Sequence, residues 1–213
     1  MHRLRITEIF YSLQGETKTV GLPTVFVRLT GCPLRCQYCD TAYAFQGGNW
    51  RDMEEIIAEV KKYSAKHVTV TGGEPLAQKA CYELLKRLCD EGFEVSLETS
   101  GAMCVEMVDV RVVKVVDIKT PDSRESERNL WSNLDHLLPH DQVKFVICSE
   151  ADYVWSRDIL RQHKINEHCE VLFSPSFNQL QPGQLADWVL RDQLPVRLQI
   201  QLHKVLWGDV PGR

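Results

Sequence analysis

Three closely spaced cysteines are suited to binding a metal centre. Cys32, Cys36 and Cys39 follow a C-x3-C-x2-C pattern. A structural zinc site usually has four nitrogen or sulfur ligands, often from paired C-x2-C units, and no second unit occurs here. Three cysteines can instead hold an iron–sulfur cluster that leaves one iron open to a small ligand. A zinc site completed by a distant histidine, or cysteines with no metal role, are the alternatives.

The overall composition is that of a globular chain without a nucleic-acid-binding surface. Its 213 residues are enough to bury a substantial core. The 25 basic and 29 acidic residues give a net charge of −4, and no basic block is present. The amino-terminal segment lacks the apolar stretch of a signal peptide or a membrane span. We therefore expect a cytoplasmic protein that acts on a small molecule and binds neither nucleic acid nor a membrane.

The other five cysteines are scattered through apolar segments. A reducing cytosol disfavours disulfides, and unpaired cysteines are often buried. We therefore expect most of them to act as small hydrophobic side chains: Cys81, Cys89, Cys104, Cys148 and Cys169.

Short β-branched runs alternate along the chain with longer segments of helical periodicity. The runs predict strands at Thr24–Leu29, His67–Thr71, Glu94–Leu97, Val112–Val116, Val143–Ile147, Val171–Phe173 and Leu198–Leu202. Apolar residues spaced three or four apart predict helices around residues 53–60, 84–88, 153–160 and 185–189.

This alternation predicts an α/β fold with a parallel sheet, because parallel strands need a crossover between them. About six units are too few to close an eight-stranded barrel. We therefore expect a partial, splayed (β/α)6-type barrel that forms a single domain over residues 1–213. A doubly wound open sheet is the alternative that periodicity leaves open.

Unusual polar residues follow nearly every predicted strand. They include the cysteine loop, the segment 71–75, the segment 98–101, the segment 117–121, the segment 174–177 and the pair His203–Lys204. Active sites in such folds gather at the carboxyl ends of the strands. We expect these segments to converge on one site.

Two of these motifs resemble the radical S-adenosylmethionine (SAM) superfamily. They are the cysteine spacing, with Tyr38 just before its last cysteine, and Gly72-Gly73-Glu74-Pro75 after a strand. The resemblance implies a radical SAM barrel with a [4Fe-4S] cluster on Cys32, Cys36 and Cys39 and SAM on the fourth iron. It further implies SAM contacts from Tyr38, Cys39, Asp40, Gly72, Gly73, Glu74, Asp117, Ile118, Lys119, Ser174, Pro175, Ser176 and Phe177. Taken alone, a Gly-Gly-Glu-Pro turn is a plain loop, and Asp117 with Lys119 is an ion pair.

Further segments resemble the 7-carboxy-7-deazaguanine synthase family, almost over the whole chain. They are residues 10–16, 21–23, 26–32, 39–41, 98–101 and the final His203–Lys204. The family converts 6-carboxy-5,6,7,8-tetrahydropterin to 7-carboxy-7-deazaguanine with loss of ammonia, in queuosine precursor synthesis. The chain departs from many relatives in having Asp117-Ile118-Lys119 where others have Ser-Pro-Lys. Its cysteine loop is also short.

The family resemblance assigns roles to individual residues. Arg28 would pair with the substrate carboxylate in bidentate geometry, and with Glu16 it is a predicted catalytic residue. Leu13, Gln14, Gly15 and Glu16 would bind the guanine-like edge, Thr71 would also contact substrate, and Thr41 would be the protein ligand of Mg2+. Without the resemblance, residues 14–16 and Thr41 are ordinary turn residues, and Arg28 is a partner in a salt bridge at the end of a strand. His203 is either a ligand of the substrate or of a partner, or a structural residue.

The resemblance also implies partners and leaves rivals. It implies a homodimer and an electron donor such as flavodoxin or ferredoxin, and it places the chain end, from Trp207 to Arg213, near the active site. A glycyl-radical-enzyme activase, whose substrate is a protein, would have the same cysteine spacing. A zinc-binding module without enzymatic activity is the other rival.

Overall fold

A computed structural model describes residues 3–210 and residue 212. These residues form nine strands, β1 (Arg3–Leu13), β2 (Pro23–Leu29), β3 (Asn49–Asp52), β4 (His67–Gly72), β5 (Glu94–Thr99), β6 (Val113–Ile118), β7 (Gln142–Ile147), β8 (Glu170–Pro175) and β9 (Arg197–Leu198). Its α-helices are α1 (Met53–Val60), α2 (Cys81–Asp90), α3 (Glu150–His163), α4 (Pro182–Arg191) and α5 (Leu202–Trp207).

All nine strands belong to one open sheet in the order β3-β1-β2-β4-β5-β6-β7-β8-β9. From β2 to β9 every neighbouring pair is parallel, which confirms the predicted splayed barrel. The prediction of parallel strands alone was incomplete, because β1 pairs antiparallel with both β2 and β3 at one edge.

The connections between strands are only partly helical. Helices α1 to α4 confirm the four predicted helical segments. In the described chain, no α-helix lies between β5 and β6 or between β6 and β7. The second of these connections is made of short 3-10 helices at Pro121–Ser123, Ser126–Arg128 and Trp131–His136. The predicted strand Leu198–Leu202 was wrong beyond Leu198, because the chain leaves the sheet there and Leu202 begins α5.

The two faces of the sheet have different partners, because side chains alternate along a strand. On β2 and β4, residues such as Val25, Val27 and Val70 are buried against α1 and α2. Near β7 and β8, Phe145 and Phe173 pack with residues of α3 and α4 in a second cluster. The opposite face carries the alternate side chains and forms the wall of a large cavity.

The cysteines are unpaired, and their burial varies. None of the eight, all within the described residues, forms a disulfide. Cys81 and Cys169 are buried as predicted, whereas Cys104 is exposed. No helix within residues 3–210 combines the length and the apolar character that crossing a membrane requires.

Candidate active site

One cavity lies against the face of the sheet that the helices leave uncovered. Its walls carry one polar side chain from most of the parallel strands: Arg28, Thr71, Glu98, Asp117, Lys144 and Ser174. Register brings several of these together, since Arg28 is paired with Thr71 and Asp117 with Lys144 on adjacent strands. The polar segments that follow the strands therefore converge, as the sequence predicts.

The cysteine loop forms one end of this cavity. Cys32, Cys36 and Cys39 all line it and are partly buried. The side chain of Arg35 donates from Nη1 to the carbonyl oxygens of Cys32, at 2.7 Å, and Leu34, at 2.6 Å, and so fixes the start of the loop. Among the described residues, no three His, Cys, Asp or Glu side chains are arranged as they stand to hold a metal ion.

The glycine turn after β4 packs directly on this loop. A Cβ atom on Gly73 would lie 2.3 Å from the carbonyl oxygen of Gly31 and 2.8 Å from the Cβ of Cys32. The backbone N–H of Glu74 donates to that same Gly31 oxygen at 2.8 Å. Glycine is therefore required at position 73, since any side chain would push the cysteine loop away.

The carboxylate of Glu74 faces away from the cavity. It is fully buried and accepts hydrogen bonds from the Thr99 hydroxyl, at 3.0 Å, and from the backbone N–H of Ser100, at 2.7 Å. Ile118 is likewise packed in the second hydrophobic cluster. Among the predicted site residues, these two do not line the cavity.

Three buried polar atoms beside the cysteine loop lack a hydrogen-bond partner in the described chain: the Tyr38 hydroxyl, Oδ1 of Asp117 and the Ser174 hydroxyl. All three residues line the cavity. Lys119 Nζ lies 3.0 Å from Oδ2 of Asp117. Buried polar atoms are normally satisfied, so this wall is built for a polar ligand. The cavity residues therefore fit a bound cofactor next to the thiols.

Burial raises the pKa of all three thiols, that of Cys36 to about 11, while the nearby charge of Lys119 acts in the opposite direction. Iron binding requires thiolates, and a bound metal deprotonates a coordinating thiol. Burial lowers the pKa of Lys119, but the charge and hydrogen bond of Asp117, together with the charges of Cys36 and Cys32, outweigh it and raise that pKa, so Lys119 is held protonated. The lysine thus supplies positive charge where a thiolate-bound cluster needs it.

The turn after β1 lies at the other end of the cavity. The Gln14 side chain is buried and donates to the Thr69 hydroxyl at 3.1 Å and to Glu98 at 3.3 Å. Its side-chain oxygen accepts from the backbone N–H of Glu16 at 3.2 Å. A Cβ on Gly15 would lie only 2.0 Å from Nδ1 of His203. The side chain of Gln14 thus shapes the turn, whose residues 13–16 line the cavity.

Lys144 lies between two carboxylates at this end of the cavity. Its Nζ lies 2.8 Å from Oε2 of Glu16 and 3.7 Å from Oδ2 of Asp117. Burial alone would raise the pKa of Glu16, but the charge and hydrogen bond of Lys144 outweigh it and lower that pKa. Glu98 has no such close partner, so burial, with the charge of Glu16, raises its pKa. Glu16 is therefore an ionised acceptor, and Glu98 holds its proton to higher pH.

Arg28 is fixed on one side and open on the other. Its Nε donates to Oε1 of Glu8 at 2.7 Å, and its guanidinium lies over the rings of Phe10 and Tyr43. Within the described chain, the two terminal Nη atoms have no hydrogen-bond partner of their own. Arg28 lines the cavity, so these nitrogens remain for an anionic group.

Thr41 lies beside Asp40 at the mouth of the cavity. The Thr41 hydroxyl donates to Oδ1 of Asp40 at 2.8 Å. Oδ2 of Asp40 accepts from Lys204 Nζ at 2.8 Å and from Gln201 Nε2 at 3.3 Å. These contacts outweigh burial and hold the pKa of Asp40 well below its ordinary value. The carboxylate is therefore ionised, and all three donors are fixed around it.

The structure thus gathers nearly all of the predicted site residues, and it adds others. Glu98 and Lys204 lie in polar motifs of the sequence, but the motifs alone predict no role for either side chain. The sequence analysis does not single out Lys144 or Gln201. A signal for Lys144 was present, since it occupies the alternate position between Val143 and Phe145 in an apolar strand. The sequence contains no such signal for Gln201, because the position of this residue depends on the path of the chain after β9.

Comparison with known proteins agrees with this geometry. The sequence pattern of the Radical SAM superfamily matches residues 26–111. The chain is 46% identical to the 7-carboxy-7-deazaguanine synthase of Chlorobaculum tepidum over 96% of this chain and 94% of that one. It is 45% identical to the synthase of that name from Koribacter versatilis, over 96% and 97%. The crystal structure of QueE from Escherichia coli has the same fold, with a TM-score of 0.80, 24% identity and coverage of 95% and 96%.

The chain is thus of the radical SAM class, with the open, mostly parallel sheet and the three-cysteine loop beside its cavity. This class implies a [4Fe-4S] cluster and SAM as cofactors. More narrowly, the chain belongs to the 7-carboxy-7-deazaguanine synthase family. The family resemblance inferred from the sequence is therefore confirmed.

Proposed function

We propose that this chain converts 6-carboxy-5,6,7,8-tetrahydropterin to 7-carboxy-7-deazaguanine with release of ammonia, as a radical SAM lyase of 7-deazapurine (queuosine precursor) biosynthesis. The proposal depends above all on one observation. The open guanidinium edge of Arg28 and the ionised Glu16 line the same cavity as the three thiols. This arrangement suits a heterocycle that carries a carboxylate at one end and N–H donors at the other.

Cys32, Cys36 and Cys39 would hold the cluster, and the wall with the unsatisfied atoms of Tyr38, Asp117 and Ser174 would hold SAM. When bound, the two cofactors would supply radical chemistry, the removal of a hydrogen atom from C6 of the pterin. The remaining tasks are those of the chain. Gly72, Gly73 and the backbone of Glu74 keep the cofactor close to the loop, and Phe177 covers the rim beside Lys204.

Substrate would be oriented from two ends. Arg28 would form a bidentate pair with the pterin carboxylate, since its Nε is already used by Glu8. The backbone of Leu13, Gln14 and Gly15, with the carboxylate of Glu16, would bind the guanine-like edge through its N–H donors. Thr71, which donates to Glu98 at 3.2 Å, would complete this wall.

A Mg2+ ion would join this arrangement through the Thr41 oxygen. The Thr41 hydroxyl donates its hydrogen bond to Asp40, so the lone pairs of the Thr41 oxygen are free for a cation. Mg2+ prefers an octahedral oxygen shell and keeps several waters, so one protein ligand is enough when substrate oxygens contribute.

The proposal extends to the whole chain and its partners. We expect residues 1–213 to act as a single domain, as a cytoplasmic homodimer reduced by a flavodoxin or ferredoxin. The one continuous sheet supports the single domain. Pro211 and Arg213, in the chain end predicted to lie near the site, are outside the described residues.

Anaerobic assay of the reconstituted protein tests the function. With SAM, Mg2+, reductant and the carboxytetrahydropterin, we expect 7-carboxy-7-deazaguanine, detected by mass spectrometry. SAM cleavage with an untouched pterin would reject the assignment and favour an activase. A colourless protein that binds zinc and no iron would favour the zinc-binding module.

A further inference from the structure

The carboxylate of Asp40 lies next to the proposed Mg2+ ligand, and both of its oxygens already accept hydrogen bonds from the chain. Oδ1 accepts from the Thr41 hydroxyl at 2.8 Å, and Oδ2 accepts from Lys204 and Gln201. Carboxylate oxygens are preferred Mg2+ ligands. A free Asp40 beside Thr41 would therefore be expected to bind the cation directly, and something must account for its exclusion.

Lys204 is held in place as firmly as a side chain of the core. Its side chain is only 5% exposed, and its Nζ lies 4.7 Å from the ring centre of Phe177. The helix that carries it begins at Leu202, whose N–H donates to the carbonyl oxygen of Gly15 at 2.9 Å. A second carboxylate, Asp209, lies 3.5 Å away. The ammonium group is thus a fixed part of the site.

We propose that Lys204 is a built-in cation that masks Asp40, and so makes divalent-metal binding at Thr41 depend on substrate. The ammonium neutralises Asp40, so the uncharged hydroxyl of Thr41 has no net negative charge beside it to attract a metal. A metal that displaced Lys204 would leave a buried ammonium with only the more distant Asp209 as partner, which is costly. The negative charge that attracts the metal arrives with the carboxylate of the substrate.

This inference rests on the proposed function in one respect, the assignment of Thr41 to Mg2+, and it adds a specificity role for Lys204. Lys204 is a positioning residue, because it acts through Asp40 and contacts neither metal nor substrate in the proposal. The consequence is an order of binding: substrate binds first or together with the metal, and the substrate-free protein binds the metal only weakly.

Mn2+ binding by the cluster-loaded protein with SAM, without pterin and without reductant, tests the inference. Bound Mn2+ is measured by the loss of the free-ion EPR signal, which needs no turnover. We expect weak binding by the unaltered protein. Lys204→Met exposes Asp40 and should bind Mn2+ about tenfold more tightly, the scale on which partners of metal ligands change affinity. Adding the pterin should tighten binding strongly in the unaltered protein and less in the variant.

Matched variants isolate the masking effect. Lys204→Arg keeps the positive charge and should bind weakly, as should Lys62→Met, which removes an equal charge from the exposed residue 62. Adding Asp40→Asn to Lys204→Met should abolish the gain. If Lys204→Met fails to fold by circular dichroism, Lys204→Gln replaces it with the same expected result.

Equal Mn2+ affinity of the folded Lys204 variant and the Lys62 variant would overturn the inference, as would a gain that survives Asp40→Asn. Neither result depends on pterin turnover. A failure of the proposed reaction would instead appear as absent product in the assay of the unaltered protein.

Discussion

At the scale of single residues, Arg28 shows how one contact leaves another available. Glu8 accepts from Nε of Arg28 and from the hydroxyl of Tyr43, at 2.7 and 2.8 Å. The guanidinium plane is thereby fixed while its Nη edge is free. A lysine at this position would offer a single point charge that could satisfy Glu8 or a ligand carboxylate, but not both in this geometry.

Arg28→Lys should therefore weaken use of the pterin while leaving the cofactor end intact. A hydrogen bond to a charged group contributes about 1.5–3 kcal/mol, so we expect kcat/KM for the pterin to fall roughly 10- to 100-fold. SAM cleavage in the absence of pterin should change little. Arg87→Lys, an exposed ion pair with Glu54 on the outer helices, is the control. Unchanged pterin turnover in Arg28→Lys would rule out the carboxylate role.

Lys144 controls the ionisation of a second group in the cavity. Its pKa is raised, because the attraction of Glu16, Asp117 and Glu98 outweighs burial. With Lys144 present, the pKa of Glu16 is lowered, so Glu16 stays ionised as the pH falls through its ordinary value. Without it, burial is the largest remaining influence and raises that pKa.

Lys144→Met should consequently shift the acidic limb of pterin binding to higher pH. The ionised Glu16 is the required acceptor, and in the variant it is lost at a pH where the unaltered protein still has it. The pH dependence of KM for the pterin measures this shift. Lys144→Arg should restore the original profile, whereas a Lys62→Met variant should never depart from it. Superimposable profiles of Lys144→Met and the unaltered protein would contradict the role of Lys144.

At the scale of elements, the parallel strands could be predicted because their apolar runs are buried. The predicted bounds of β2 and β4 to β8 differ from the structure by at most two residues. Strand β3, Asn49–Asp52, has no buried residue and gives no apolar signal. The alternation of Leu198, Ile200 and Leu202 imitates a strand, but the chain turns to contact Gly15 instead. Such tertiary contacts override local periodicity.

The candidate site divides in the same way. Loops that bear a motif, such as the cysteine loop and Gly72-Gly73, could be found from sequence spacing alone. Lys144 and Gln201 could not be given a role, because each acts through Glu16 on a distant segment. The roles of these two residues depend on how distant elements pack together, and a single sequence does not reveal that packing.

The contact between the glycine turn and the cysteine loop is one such meeting, and Gly73→Ala tests it. The added methyl would meet the backbone oxygen of Gly31, which no side-chain rotation can relieve. Overpacking of this kind costs about 1–3 kcal/mol. We expect lower iron and sulfide content after reconstitution and a weaker brown absorbance. Gly183→Ala, whose Cβ would meet nothing within 4 Å, should reconstitute normally. Full iron content in Gly73→Ala would show that the loop can move at no cost.

At the scale of the whole molecule, two segments bridge the open side of the sheet across the cavity. They contact each other without forming paired strands. The connection after β1 and the segment after β9 contact each other at the Leu202 N–H and Gly15 oxygen. Lys18 extends the same connection to β7, since its backbone N–H donates to Gln142 at 3.1 Å. The splayed barrel thereby gains a continuous wall. The turn that carries Glu16 is held by contacts with the segment after β9 and with β7.

Gln199 makes the main side-chain contact between these two segments, and its replacement tests whether that contact stabilises the fold. Its buried amide accepts from the Thr17 N–H at 2.7 Å and donates to the Thr17 carbonyl oxygen at 2.9 Å. Thr17 is also buried and has a positive φ of 66°, a left-handed conformation that lies outside strand geometry.

Gln199→Ala should leave the backbone N–H of Thr17 unsatisfied, while the Thr17 carbonyl oxygen keeps only the long hydrogen bond from the Val20 N–H at 3.4 Å. An unsatisfied buried group costs about 1–3 kcal/mol, so we expect the free energy of unfolding in urea to fall by roughly that amount. Amide exchange should accelerate first at Thr17 and Leu202, and KM for the pterin should rise because Gly15 and Glu16 lose their support. Gln184→Ala, on the exposed face of α4, should change none of these quantities. If both variants unfold at the same urea concentration and exchange alike, the two segments are in contact without stabilising each other, and the open side of the sheet is closed by other means.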